Sequence, residues 1–256
     1  SLLEEAQAKQ ERELARTAAY LEVVKLAYEN RQPLPEMAAK RGLDPELAID
    51  WMQLLNLGDA DLKPGAHFTE KMNNVGGWEA LKGWRRGNGL PNLLVNQSED
   101  AIPHVTFTVP GRAVTVHPTP DIDSIVLWQS PIEGEVTVDG LIADADGACG
   151  NGAAWKVERL RAAGPDTIAN GQFQNGGRNE FSGKTLAVKR GELIRLTVMP
   201  IDRNHTCDTT RISLTITENR DGGQVWDLEK DIVDRIHEGN PFGVWHFADS
   251  KPKKES

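Results

Sequence analysis

The chain has 256 residues, of which 39% are hydrophobic and 26% are charged, and its formal net charge is −9. This composition indicates a globular protein with one or two domains and excludes an intrinsically disordered one. Because no dense Lys/Arg stripe is present to neutralise phosphates, nucleic acid is not expected as a main partner. No apolar run approaches the ~20 residues that cross a bilayer, so no membrane span is predicted.

The N-terminal part of the chain predicts three helices, and no catalytic or binding residues are predicted in them. One long amphipathic helix is expected over residues 1–31, and a short helix over 35–41. The third helix is marked by Asp44 as N-cap, Pro45 at its first position and Gly58 just after its last turn. These helices predict a platform or linker rather than a site.

The next segment, residues 59–92, is rich in Gly and Asn and predicts an irregular linker. Two tryptophans, Trp78 and Trp84, lie within it. They form either an exposed aromatic pair or a cover over the junction between helices and sheet, and packing is the favoured interpretation.

From Leu93 the pattern becomes that of short β-strands. Eight to ten runs rich in Val, Ile, Thr and Leu lie between residues 93 and 218, and Gly, Pro, Asn and Asp separate them. KRGE at 189–192 predicts a tight turn between two of them. No helical pattern interrupts the runs, which disfavours a parallel α/β sheet. The sequence therefore predicts a mainly β fold, an antiparallel β-sandwich or jelly roll.

The C-terminal part, residues 219–256, returns to a helical pattern. A short helix is expected over 226–237, with Gly239 after its end. PFGVWHFAD at 241–249 then predicts an extended segment, and a charged tail follows. Four regions result: a helical platform (1–58), a linker (59–92), the β-sandwich (93–218) and a C-terminal helix with tail (219–256).

The two cysteines, Cys149 and Cys207, each lie in a short polar loop between predicted strands. The loops are DADGACGNGAAW at 144–155 and DRNHTCDTT at 202–210. Without a CxxC or CxxCH pattern, neither a zinc site nor a covalently attached haem is predicted. Scattered cysteines are either free thiols or, in an oxidising compartment, a pair. Their place in polar loops rather than apolar strands favours a disulfide.

A bridge between these cysteines would make the polar residues of both loops neighbours, Asp202 among them. The predicted ligand-binding residues are Asp144, Asp146, Asn151, Asn204, His205 and Asp208. Carboxylates are the ligands of a hard cation, so Asp144, Asp146 and Asp208 are the candidate ligands of a calcium ion. The alternative, favoured for any one of these residues alone, is that Asp and Asn only cap their own turns.

Catalysis is not predicted. His205 with Asp208 and either Asp144 or Asp146 can be drawn as an acid–base set, but no GxSxG, HExxH or thiol-nucleophile signature accompanies it. A bridged cysteine cannot act as a nucleophile. The remaining candidates are interpreted as structural: His104 and His117 as ordinary strand-end residues, and Trp128 and Trp155 as core.

Three motifs together resemble a known protein context. They are W-Q-S-P-I-x-G-x-V-x-V (128–138), D-x-D-x-x-C-G-N-G-x-x-W (144–155) and D-x-N-H-x-C-D-x-T (202–210). This order resembles a segment of large secreted proteins of the planctomycete type, which carry a cytochrome c domain and flanking domains of unknown function. The helical start and the WDLEKDIVDRIHEGNPFGVWHF end resemble the same context, so the likeness covers residues 10–248.

The resemblance implies a periplasmic or extracellular location and a carbohydrate-binding-like jelly roll within a larger redox protein. It also implies that the chain is a fragment without the haem segment, whose partners include neighbouring domains of the parent protein.

The function predicted on this basis is non-catalytic binding of a polysaccharide or oligosaccharide at the Cys149–Cys207 end of the sandwich. The six ligand-binding residues would contact sugar hydroxyls directly or through calcium. Two alternatives stay open: a structural module that positions neighbouring domains, and a polysaccharide-active enzyme that uses the same polar cluster.

Overall fold

A computed structural model describes residues 11–12, 15–30, 34–55, 67–87, 89–104, 107–160 and 165–250. Its first elements are three helices: α1 (Thr17–Asn30), α2 (Leu34–Lys40) and α3 (Pro45–Leu54). The predicted short second helix and the capped third helix are confirmed. The predicted first helix is confirmed over α1, whereas its first ten residues and Gly58 lie outside the described residues.

Asp44 caps α3 as predicted. Its Oδ1 accepts hydrogen bonds from the backbone N–H groups of Glu46 at 2.9 Å and Leu47 at 3.4 Å. The backbone N–H of Asp44 in turn donates to the hydroxyl of Tyr20, a fully buried residue of α1. One residue therefore both starts α3 and fixes it against α1.

The rest of the described chain is mostly strand. The first strands are β1 (Glu70–Met72), β2 (Leu81–Arg85), β3 (Asn92–Asn96), β4 (Ile102–His104), β5 (Phe107–Val109), β6 (Val114–His117), β7 (Ser124–Gln129) and β8 (Gly134–Asp144). They are followed by β9 (Ala153–Leu160), β10 (Asp166–Gln172), β11 (Arg178–Val188), β12 (Leu193–Pro200), β13 (Thr210–Glu218), β14 (Val225–Asp227), the short helix α4 (Leu228–Ile232) and β15 (Trp245–Asp249).

The strands form the predicted antiparallel jelly roll. Strands β6 to β13 lie in the order β6-β13-β8-β11 in one sheet and β7-β12-β9-β10 in the facing sheet. Strands β1, β2 and β3 extend the first sheet, and β15 adds to β7 at the edge of the second. All of these pairings are antiparallel. The turn predicted at 189–192 joins β11 to β12.

The core lies between the two sheets, and tryptophans fill much of it. Trp128 and Trp155 are buried, as predicted, and Trp128 packs on Trp226 with ring centroids 5.0 Å apart. Trp84 is also buried, and its indole N–H donates to the carbonyl of Ile236 at 2.7 Å. Packing is therefore the correct interpretation of Trp84. It is wrong for Trp78, which is 44% exposed.

The prediction of irregular structure over 59–92 is wrong where β1, β2 and the start of β3 lie. Gly83, in the middle of β2, explains why the sequence misleads. A Cβ at this position would overlap the carbonyl oxygen of Leu93 on the neighbouring strand. The glycine that suggests a loop is thus required for close approach of two strands. Residues 59–66 lie outside the described residues.

Two further predictions are corrected. The run HVTFTV at 104–109 is one of the runs that predict a strand between residues 93 and 218, but it belongs to the hairpin β4–β5, whose residues 105–106 lie outside the described residues. The C-terminal helix is shorter than 226–237, because Trp226 belongs to β14, which pairs with β13, and Asp227 caps α4 through the N–H of Lys230.

Of the extended segment predicted at 241–249, residues 245–249 are confirmed as β15, which pairs with β7 along its whole length. Residues 241–244 instead form a turn, in which Phe242 bridges to Trp245. Ala248 of β15 also forms an antiparallel bridge with His67, the first described residue after the helices. No helix within the described ranges has the length and apolar character needed to cross a membrane.

Candidate functional site

The predicted disulfide is confirmed. Cys149 and Cys207 are bonded, with Cα atoms 5.5 Å apart and 58 positions between them in sequence. The bond joins the loop after β8 to the loop before β13, so two connections at one end of the sandwich are held together. Gly150, at φ +89°, permits this approach, since a Cβ there would overlap the carbonyl oxygen of Thr206. We name residues 144–152 and 201–209 the disulfide-linked loops.

Asp144, at the end of β8, shapes these loops. Its Oδ1 accepts the backbone N–H of Asp146 at 2.7 Å, and its Oδ2 accepts that of Gly176 at 2.6 Å. Both oxygens therefore hold turns, one of them in the neighbouring connection between β10 and β11. Asp144 therefore caps two turns, and its predicted role as a ligand stays a prediction.

Two asparagines, Asn151 and Asn204, also hold the backbone of the disulfide-linked loops. Asn151 donates from Nδ2 to the carbonyl of Ile201 at 3.1 Å and so ties one loop to the other. Asn204 accepts the backbone N–H of Thr206 at its Oδ1, at 3.1 Å, and is exposed. The amide nitrogen of Asn204 is left on the surface of the loop.

Asp208 is the most unusual group of the cluster. The residue is 2% exposed, and neither carboxylate oxygen has a hydrogen-bond partner within the described residues. Burial, with a smaller contribution from the charge of Asp144, raises the pKa of Asp208 to about 7. Asp146, also 2% exposed, lies buried at the other loop.

Two histidines lie against this end of the sheet. The rings of His117 and His205 meet edge to face with centroids 5.9 Å apart. His117 Nδ1 shares a 2.9 Å hydrogen bond with the hydroxyl of Thr209. Burial, aided by His205, lowers the pKa of His117 to about 4, so this imidazole is neutral at neutral pH. His205 is half-buried.

His117 is the site residue that sequence reasoning missed. It ends β6, and the pairing of Val116 with Thr210 places that end beside the start of β13. The run VTVHP carries no signal of this, because only the non-consecutive order of strands brings β6 and β13 together.

No metal centre is formed within the described residues, since no group of three or more His, Cys, Asp or Glu side chains there could hold a metal ion. Each oxygen of Asp144 accepts one backbone N–H. Calcium at Asp144, Asp146 and Asp208 stays a prediction.

A separate cavity of about 430 Å³ lies between the helices and the sandwich. Pro45 and Ile49 line it on the helical side, and Phe68, Trp84 and Pro241 on the other. Glu36, also in its wall, accepts the backbone N–H of Gly243 at 2.8 Å. The cavity and this contact belong to the junction that holds the helices on the β-sandwich.

No protein-family model and no curated protein matches this sequence. Among solved structures, the chain is similar to the carbohydrate-binding module CBM51 from Clostridium perfringens GH95, solved in complex with methyl-galactose. The identity is 7% and the TM-score 0.29, over 57% of this chain and 86% of that one.

Two other solved structures show likeness at the same level. Murine APRIL has 6% identity and a TM-score of 0.22, over 58% of this chain and 94% of that one. The Xylan-Binding Domain from CBM 22 has 12% identity and a TM-score of 0.18, over 58% and 92%. TM-scores this low carry no conclusion about function.

Proposed function

We propose that the protein is a non-catalytic carbohydrate-binding module and that its disulfide-linked loops bind the sugar. The supporting observation is that some polar side chains of the loops hold the backbone while other polar groups there make no hydrogen bond in the described part of the chain. Asp144 and Asn151 hold the backbone, whereas the amide nitrogen of Asn204, an exposed residue, and the ring of His205, a half-buried one, make no hydrogen bond within the described residues. An amide donor beside an imidazole suits hydroxyl groups, which both donate and accept.

The loops are also ordered in advance of any ligand. The Cys149–Cys207 bond and the caps of Asp144 and Asn204 fix the backbone without a partner. A ligand then has little loop-ordering entropy to overcome, which favours binding by weak individual hydrogen bonds. Calcium is not needed for this arrangement.

Non-catalytic action is proposed because Asp144 and Asp208, two carboxyl groups of the acid–base set considered from the sequence, are not free to act on a substrate. Asp208 is enclosed, and both oxygens of Asp144 are engaged by backbone N–H groups. Glycoside hydrolysis uses two carboxyl groups that flank the bond to be broken. We therefore expect no product release from a bound polysaccharide.

A periplasmic or extracellular location is part of this proposal. A disulfide that joins two functional loops suits an oxidising compartment. Membership of a larger envelope or secreted redox protein, with neighbouring domains as partners, stays a prediction from the resemblance.

The test is affinity electrophoresis through gels that contain xylan, galactan or mixed-linkage β-glucan. We expect at least one gel to retard the wild type, and Asn204→Ala and His205→Ala to weaken retention about tenfold, since each removes a hydrogen-bonding group. Asn170→Ala, which removes an exposed amide from β10, is the matched control and should leave retention unchanged. Equal migration of all four proteins in every gel contradicts the proposal.

One observation favours a second candidate, a structural module that positions neighbouring domains. Asp144 and Asn204 both use side-chain oxygens to hold turns, which a purely structural loop requires as well. This candidate predicts that no gel retards the wild type, and that loop substitutions change only the temperature of unfolding.

A further inference from the structure

Trp78 differs from every other tryptophan of the chain. All seven tryptophans lie in the described residues, and Trp78 alone is exposed, with 44% of its surface accessible. Removing a large aromatic surface from water is favourable, so an exposed indole is a place where a ligand gains free energy by covering it.

The backbone presents this indole in a fixed position. Asn74, Gly76 and Gly77 have positive φ values of 50°, 61° and 85°, which form a tight turn before the tryptophan. The N–H of Gly77 donates to Asn74, and the N–H of Trp78 donates to Val75. The turn therefore fixes the backbone from which the indole projects.

Exposed polar residues lie in the same short segment as Trp78. Asn73, Asn74 and Glu79 are all exposed, and their side chains make no hydrogen bond within the described residues. Two amides and a carboxylate in the segment that carries the exposed indole offer both donors and acceptors to a ligand. We name residues 73–79 the Trp78 turn.

The Trp78 turn and the disulfide-linked loops are connected by one element, the hairpin β4–β5. His104 of β4 lies so close to Gly76 that a Cβ there would overlap its ring. His104 contacts Phe107 edge to face at 5.2 Å between centroids, and the next residue, Thr108, donates its N–H to the carbonyl of Ala145. Contacts therefore run without interruption from the turn to the loops.

We propose that the Trp78 turn is a second sugar-contacting surface, on which one pyranose ring stacks on the indole while the chain continues to the disulfide-linked loops. The apolar C–H face of a pyranose packs on the ring, and Asn73, Asn74 and Glu79 bind its hydroxyls. The ligand is then an oligosaccharide or polysaccharide rather than a single sugar. Glu79 and the net charge of −9 favour a neutral chain over one that carries carboxylates or sulfates.

This inference rests on the proposed function, and the same gels test it with Trp78→Ala, Trp78→Phe and Val225→Ala. Val225, 53% exposed in β14, controls for loss of any exposed apolar side chain. We expect Trp78→Ala to weaken retention at least tenfold, Trp78→Phe to retain binding within about threefold because it keeps a ring, and Val225→Ala to have no effect. Polygalacturonate gels should not retard the wild type, and xylose or galactose should not compete at the concentration at which the oligosaccharide does.

The outcomes separate this inference from the function on which it rests. If Trp78→Ala is retained like the wild type while His205→Ala is not, the proposal that the Trp78 turn contacts sugar is wrong and the proposed function stands. If Trp78→Ala alone loses retention, the Trp78 surface is right and the disulfide-linked loops are not the site. If no gel retards the wild type, both the proposed function and the Trp78 surface are overturned. If a single sugar competes, the proposal that the ligand is an oligosaccharide or polysaccharide is overturned. Circular dichroism of each variant shows that it is folded.

Discussion

Asp208 lies beside Asp144, buried and without a hydrogen-bond partner in the described part of the chain, and its pKa is raised to about 7. The folded state therefore holds a proton at this carboxyl that the unfolded chain, with an ordinary pKa of 3.8, releases. The stability that this group contributes is complete below about pH 4 and is lost as the pH rises through about 7.

Asp208→Asn removes this titration while keeping the shape of the side chain. Relative to the wild type, we expect the variant to gain about 2–4 kcal/mol of unfolding free energy between pH 4 and pH 8, from ~1.4 kcal/mol per pKa unit. Urea unfolding at the two pH values measures the difference. Asp202→Asn, at an exposed position of the same loop, is the control. A variant that loses stability relative to wild type at pH 8 contradicts the prediction and indicates a cation bound to the carboxylate.

The pH dependence of stability that His117 contributes is expected to be opposite in sign to that of Asp208. Its pKa of about 4 in the folded protein lies below its ordinary 6.5, so its contribution to stability is present above pH 6.5 and is lost as the pH falls toward 4. Between pH 7 and pH 4 the wild type should lose about 3 kcal/mol more than His117→Gln. NMR titration of the ring checks the cause directly. A ring that protonates between pH 6 and 7 rules it out.

Removal of the Cys149–Cys207 bond should destabilise the fold without changing its core. For 58 positions between the cysteines, the chain-entropy relation gives about 4 kcal/mol for the bond. Cys149→Ser/Cys207→Ser should therefore unfold at a lower urea concentration than the oxidised wild type, and dithiothreitol should bring the wild type to the level of the variant. Unchanged midpoints in both cases contradict this expectation.

Gly83→Ala tests the close approach of β2 and β3. The new Cβ would overlap the carbonyl oxygen of Leu93, so strands must separate locally, at a cost of about 3 kcal/mol. Gly89→Ala is the matched control, because no atom lies within 4 Å of a Cβ built there. Thermal unfolding of the two variants gives the comparison. Equal midpoints exclude a packing role for Gly83.

Much of the fold follows from local patterns that the sequence displays openly. Strands such as β7 and β12 are long apolar runs between turn residues, Asp44 and Pro45 mark the start of α3, and two cysteines in polar loops indicate a bridge. These features depend on neighbours in sequence, or on a chemistry that allows a single pairing. They are therefore recognisable from the amino-acid sequence alone.

The features that stayed hidden depend on contacts between distant strands. Gly83 suggests a loop until Leu93 is placed against it, and His117 is unremarkable until β6 lies beside β13. The roles of Asp144 and Asp208 are equally impossible to predict from residue type. Asp144 caps turns, whereas Asp208 is buried without a hydrogen-bond partner within the described residues. Residue type predicts what a side chain is able to do, and the fold selects among those abilities.

The β-bridge between His67 and Ala248 brings the start and the end of the described β-structure together. The chain enters the described β-structure and leaves it at adjacent points, and strands β1 to β14 lie between them. A unit with adjacent entry and exit points is suited to insertion into another chain, because the flanking chain on either side resumes almost where it was interrupted. The same geometry allows the segment between these two residues to be moved into a surface loop of another protein with little strain on its host.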